Sequence, residues 1–267
     1  MNVLFVYPAF PDTFWSFRHA LKFAGKKASM PPTGLLTLSA MLPDSWGRRL
    51  VDMNTRVVEE EDLKWADLVM VSAMNAQRES TISLLQRCRE NDLRIVCGGP
   101  LFSADPEKWR SMTSTVVAGE AETVIDELVR HLTKGSERFL YRSEEYPELS
   151  RTPVPDWSLM NCRDYETVGI QFSRGCPHKC DFCNVTALFG HRVRTKSAGQ
   201  ILQELNALYQ HGWRGGVFFV DDNFIGNRRY LKESLLPALI EWRRGRETVT
   251  FQTETSILIA DDDVLLS

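Results

Sequence analysis

Three of the six cysteines stand close together, in Ser173-Arg-Gly-Cys176-Pro-His-Lys-Cys180-Asp-Phe-Cys183. Three residues separate the first pair and two the second. Three thiolates at such spacing can hold three irons of a four-iron, four-sulfur cubane and leave the fourth iron without a protein ligand. An open metal position is how a site admits a reactant. The other reading is a structural zinc site, with His178 or His191 as fourth ligand. Zinc sites usually join one C-x2-C pair to a second pair or to two spaced histidines, and no second pair is present. Cys88, Cys97 and Cys162 are scattered along the chain.

The cysteines need a support that aims them. Val168–Ser173 reads as a strand, which places the cluster on the loop leaving it. Downstream, Ser197 followed by Gln200 forms a capping box, and Ile201, Leu202, Leu205, Leu208 and Tyr209 mark one apolar helix face that Gly212 ends. Val217–Asp221 and Val249–Glu254 read as further strands, with a helix over Arg229–Trp242 between them. Residues 1–135 show the same alternation. The expected strands are Val3–Tyr7, Arg49–Met53, Leu68–Ser72, Arg94–Cys97 and Thr115–Ala118. Helical patterns cover Gly34–Leu42, Gln77–Glu90 and Ala121–Leu132. Such alternation predicts right-handed crossovers and a parallel, doubly wound sheet of the flavodoxin-like kind, with ligands at the carboxyl ends of the strands. Between the two regions, residues 136–167 are polar and carry Pro147, Pro153 and Pro155. Prolines fix φ and disfavour helix before them, so this segment reads as a semi-rigid linker.

Composition narrows the function. Lys plus Arg is 32 against 35 for Asp plus Glu, a net charge of −3, which argues against a protein built mainly to grip nucleic acid. No apolar stretch approaches the roughly 18 residues needed to span a bilayer. Nor does the N-terminus read as a signal peptide, so a cytoplasmic location is expected. No dinucleotide fingerprint and no P-loop motif occurs.

C-x3-C-x-aromatic-C after the first strand of a βα domain resembles the radical S-adenosylmethionine (SAM) superfamily. The resemblance implies that Cys176, Cys180 and Cys183 hold a [4Fe-4S] cluster whose open iron chelates SAM. Reductive cleavage then gives a 5′-deoxyadenosyl radical, with electrons from a donor such as flavodoxin or ferredoxin. Phe182 matches the aromatic position beside the adenine, and a packing aromatic is its plainer reading. In Val220-Asp-Asp-Asn-Phe-Ile-Gly226, Asp222 or Asn223 stands where the family receives the SAM amino group, although the family's glycines are replaced and both residues also suit a turn. Gln252 and Glu254 are assigned to the SAM ribose or carboxylate, or are simply exposed on their strand.

The doubly wound region resembles the cobalamin-binding domain of cobalamin-dependent radical SAM enzymes. Ser72-Ala-Met74 and Cys97-Gly-Gly-Pro100 match that domain's Ser-x-Leu and Gly-Gly motifs. Ser72, Gly98, Gly99 and Glu120 are thereby assigned to cobalamin; a strand-exit turn is the plainer reading of the glycines. The family's Asp-x-His-x-x-Gly is absent, and a lone His19 is more often a surface or core residue than a ligand. Cobalt without a protein ligand below is the expectation. Tyr7–Phe17, Pro31–Leu36, Cys97–Phe102 and Val220–Gly226 together resemble a class B methyltransferase-like subgroup that includes hopanoid 2-methylase. That implies methyl transfer to an unactivated carbon of an apolar small molecule, with peripheral membrane contact if it is a lipid. A non-methylating cyclisation or rearrangement, or a non-catalytic metal- or cofactor-binding module, are the other readings. Phe14, Trp15 and Phe17 either line an apolar pocket or pack the first loop. Arg192, Arg194 and Lys196 read as a solvated face, as do Arg243, Arg244 and Arg246 at a helix end.

The expected architecture is a cobalamin domain over 1–135, a linker over 136–167, and the N-terminal part of a radical SAM partial TIM barrel over 168–267. A six-unit partial barrel needs about twice that last length, at roughly 25–30 residues per βα unit. An incomplete chain, with an exposed strand edge near Val249–Glu254, is the expectation.

Overall fold

The structure is a computed structural model that describes residues 1–266, without the side chains of Trp15 and Leu266. Its larger sheet has six strands: β1 (Asn2–Tyr7), β2 (Gly47–Asp52), β3 (Leu68–Ser72), β4 (Arg94–Gly98), β5 (Thr115–Ala118) and β6 (Leu140–Arg142). Their order is β2-β1-β3-β4-β5-β6, every neighbour parallel. This is the flavodoxin-like order, with its switch point between β1 and β3. Val3, Leu4, Phe5 and Val6 are all fully buried, as a strand covered on both faces requires.

Helices α1 (Arg18–Phe23), α2 (Thr33–Ala40), α3 (Glu60–Trp65), α4 (Arg78–Glu90), α5 (Pro100–Ser103) and α6 (Ile125–Lys134) connect these strands. The helix read over Ala121–Leu132 opens as a 3-10 turn, Ala121–Thr123, and becomes α-helical from Ile125. Its Ile125, Leu128 and Leu132 pack under the sheet with Val96, Val117 and Tyr141.

The segment read as a linker is a buried strap. Leu140–Arg142 within it is the sixth strand, and Leu149, Trp157, Met160 and Tyr165 are buried. Ser39 donates to Asp156 at 2.9 Å and Tyr165 to Asp52 at 3.1 Å. Leu36 of α2 packs in the same core as Trp157, Ile170 and Leu205. The two halves therefore share apolar surface.

Beyond the strap lie β7 (Thr167–Ile170), the short ribbon β8 (Ser173–Arg174) with β9 (Arg194–Thr195), β10 (Gly216–Phe219) and β11 (Thr250–Thr253). Parallel β7, β10 and β11 form a second sheet in the order β11-β10-β7. Helix α7 (Val185–Phe189) follows the cysteine loop, and α8 (Ala198–Gln210) begins at the capping box read from Ser197 and Gln200. The last helical segment runs from α9 (Arg228–Tyr230) through a π-helical turn, Leu231–Leu235, into α10 (Leu236–Arg243). Among the described residues β11 pairs only with β10 and leaves Thr250, Gln252 and Thr253 exposed, so the expected strand edge is present.

Candidate cofactor site between the two sheets

Two cavities open at the carboxyl ends of the first sheet. The smaller, about 130 Å³, lies between the strand ends and helices α2 and α6; Ser72, Gly98, Gly99 and Gly119 line it with Leu35, Val124 and Leu128. Gly99 has φ +86°, and a Cβ there would meet the Ser72 hydroxyl at 2.7 Å. Only glycine lets the backbone pass so close, which leaves a narrow apolar cradle for a slender group. The larger cavity, about 770 Å³, spans the interface. Its walls include Tyr7, Phe10, Met30, Met74 and Ser72 of the first half and Gly169 and Val220 of the second. Ser72 thus borders both spaces. Burial, then the nearby Asp52, push Tyr7 up to about 12, so its phenol stays protonated.

No histidine lines the larger cavity among the described residues. His19 is exposed and lies 3.7 Å from Asp12. Phe14 and Phe17 are 79% and 47% exposed, so neither of these two is packed inside or part of the cavity wall. Trp15's side chain lies outside what is described.

The cysteine loop leaves the β8–β9 ribbon. Its neck is closed by Cys176 N–H donating to Gly190 O at 3.2 Å, and Gly175 has φ +90° with Arg192 O against its open side. All three thiols are free; Cys180 is exposed and the other two are half-buried. Phe182 between them is 92% exposed. Among the described residues no three His, Cys, Asp or Glu side chains converge closely enough to hold a metal ion. The donor set suits a cluster with one open iron, but the thiols are not drawn to one point. By contrast, burial pushes the Cys88 and Cys97 thiols up to about 11 and about 12.

Asp222 and Asn223 follow β10, and Glu254 follows β11. Burial raises the Asp222 carboxyl above its ordinary range and Glu254 adds to this. The Asn223 side chain accepts from Ser256 N–H at 3.4 Å, and Glu254's carbonyl accepts from Phe224 N–H at 3.4 Å. These strand ends are therefore adjacent. Gln252 shares a register row with Phe218 and Gly169, the face that looks toward the larger cavity, but lies exposed at the sheet edge.

Glu120 is placed differently from the expectation. Its carboxylate is absent from the small cavity and instead receives Arg194 at 2.6 and 3.0 Å and Arg174 at 2.5 Å. Arg174 also meets Glu122 at 2.8 Å, and Thr152 donates to Glu122 at 3.0 Å. Burial alone would raise Glu122; Arg174 and the hydrogen bonds outweigh it and hold the carboxyl below its usual range. Arg194 and Lys196, read as a solvated face, are 5% and 4% exposed; Lys196 pairs with Glu204 at 2.5 Å. Arg192 alone of the three is exposed. Asp221, read only as a strand end, is also buried, and its carboxylate accepts from Phe172 N–H at 3.0 Å.

A family model for the B12 binding domain matches residues 26–129. An uncharacterized methyltransferase of Synechocystis is 37% identical over 100% of this chain and 50% of its own length. The hopanoid C-2 methylase of Rhodopseudomonas palustris is 37% identical over 91% of this chain and 47% of its own length. Residues 26–129 thus carry a B12 binding domain, and the chain is similar over most of its length to these two methyltransferases. It spans about half the length of the curated relatives it matches. Among solved structures, the radical S-adenosylmethionine methyltransferase TsrM of Kitasatospora setae, with cobalamin and a [4Fe-4S] cluster bound, superposes with a TM-score of 0.70. It covers 94% of this chain and 55% of that one at 16% identity, so the likeness is one of fold. In this chain the glycine cradle lies within the part matched by the B12 model, and the cysteine loop lies after it.

Proposed function

We propose that the protein transfers a methyl group to an unactivated carbon of an apolar substrate, using cobalamin, SAM and a [4Fe-4S] cluster. The observation that carries this reading is the cavity of about 770 Å³ between the B12-type strand ends and the strand that leads to the cysteine loop. Cys176, Cys180 and Cys183 would hold the cluster, Ser72, Gly98 and Gly99 the buried tail of cobalamin. Phe182, Asp222, Asn223, Gln252 and Glu254 are the residues assigned to SAM; a carboxylate facing an ammonium is a charge-assisted contact. The bound cofactors supply radical generation and the methyl group. The protein's own part is to wall the space with apolar side chains and exclude water and stray hydrogen donors.

A hopanoid-like lipid is the proposed substrate class. It is supported by the 37% identity to a hopanoid methylase and by Phe10, Met30 and Met74 on the cavity wall. Exposed Phe14, Phe17 and Phe23, beside Arg18 and Lys22, suit peripheral contact with a membrane surface. No described helix is long and apolar enough to cross a membrane. Electrons would come from a flavodoxin or ferredoxin.

The test uses the full-length protein, reconstituted anaerobically with iron, sulfide, cobalamin and reductant, then given SAM and a lipid extract. Methylated lipid with matching S-adenosylhomocysteine is expected. Cys180→Ala should abolish both. Deoxyadenosine without S-adenosylhomocysteine would favour a rearrangement or cyclisation, and tight zinc with no iron–sulfur absorption would leave a non-catalytic module.

A further inference from the structure

We propose that Glu120 is a positioning residue that couples occupancy of the glycine cradle to the order of the cysteine loop. Glu120 sits between Gly119 and Ala121, and both of those line the small cavity. Gly119 has φ +89°, with Ser143 Cβ 3.1 Å from where its own Cβ would stand, so this turn packs closely against the segment that follows β6. The Glu120 side chain points the other way and is only 3% exposed. It grips Arg174 and Arg194, which are register partners on the β8–β9 ribbon. That ribbon and the Gly175 neck form the base of the cysteine loop. Arg194 strengthens the junction by donating to Phe189 O at 3.1 Å, at the end of α7, and to Pro147 O at 2.6 Å, on the strap.

The network holds two carboxylates and two guanidiniums, all with side chains at most 12% exposed. Buried ions of this kind tolerate few alternative arrangements, because losing one partner leaves another charge uncompensated. A group seated against Gly119 and Ala121 fixes the turn. Through Glu120 it then fixes the two arginines and the loop base. Thermodynamic reciprocity requires the converse: an ordered loop favours occupancy of the cradle.

This inference rests on the reading of the cradle as a cobalamin site. The experiment is hydrogen–deuterium exchange on the full-length, cluster-free protein, with and without hydroxocobalamin, while absorbance reports binding. Exchange over residues 174–194 should slow by about fivefold or more on binding, the low end of common couplings. Glu120→Gln should still bind the cofactor yet lose that slowing. Arg194→Lys, which keeps the charge but not the two-pronged grip, should lose it too and guards against a misfolded first variant. Glu107→Gln, at an exposed pair, should behave as the parent. Full slowing in both network variants, or no slowing in a parent that binds cobalamin, overturns the coupling alone. Absence of cobalamin binding by the parent overturns the cofactor reading and the coupling with it.

Discussion

Asp221 receives both the backbone N–H and the hydroxyl of Ser173, the latter at 2.5 Å. Asp221 lies two residues past β10 and Ser173 opens β8, so one carboxylate ties the exit of the second sheet to the start of the cysteine ribbon. Burial pushes this carboxyl up to about 6, against hydrogen bonds from Ser173 and Phe172 that favour the charged form.

That value sets a pH dependence. An unfolded Asp titrates near about 3.9, so the folded state holds this proton more tightly. Stability contributed by the group is therefore greatest below about pH 4 and falls as pH rises to about 6. Asp221→Asn removes the titration. Denaturant melts from pH 4 to 6.5 should show the parent losing about 2–3 kcal/mol relative to this variant. Parallel curves would count against a raised Asp221.

The glycine cradle gives a binding prediction. A Cβ at Gly98 would meet only Val117, at 3.5 Å and beyond, so Gly98→Val should fold while filling the cavity wall. Cobalamin affinity, followed by absorbance titration, should drop by about tenfold or more, roughly 1.4 kcal/mol. Gly99→Ala places a methyl against Ser72 at positive φ and should also lower stability, by about 1–3 kcal/mol. Unchanged affinity in both variants would exclude the cradle as the tail site.

Cysteine chemistry should divide along the fold. In the cluster-free protein, iodoacetamide at pH 8 should label Cys176, Cys180 and Cys183 quickly. Cys88 and Cys97 should stay unlabelled until unfolding, because both are fully buried and their thiols are raised to about 11 and about 12. Peptide mass spectrometry reads this directly; early labelling of Cys97 would contradict the packing.

Lys196 and Glu204 form a pair whose side chains are 5% and 2% exposed. Lys196→Met should destabilise by about 3–5 kcal/mol, since Glu204 is left buried and alone, whereas adding Glu204→Leu should restore most of the loss. Additive losses in thermal melts would show that the two do not act as a pair.

Local pattern in the sequence was enough for much of the molecule. The Ser197–Gln200 capping box, the apolar face of α8 and the β-rich segments of the flavodoxin-like sheet repeat within a few residues. They were legible because helix and strand periods are properties of the chain itself. The spacing of Cys176, Cys180 and Cys183 is equally local, being confined to one short loop.

Tertiary structure alone decided which charges are buried. Arg194 meets Glu120 across 74 residues of sequence, and no local signal separates it from exposed Arg192 two positions earlier. Arg194 lies within β9 and reaches Glu120, whereas Arg192 precedes the strand and is left in water. The three-residue strand β6 was too short to show a period and became visible only by pairing with β5. The cavities, too, exist only where strand ends from distant segments are brought side by side. Local pattern therefore lies in neighbouring residues, and the burial and juxtaposition of side chains lie in contacts that folding alone creates.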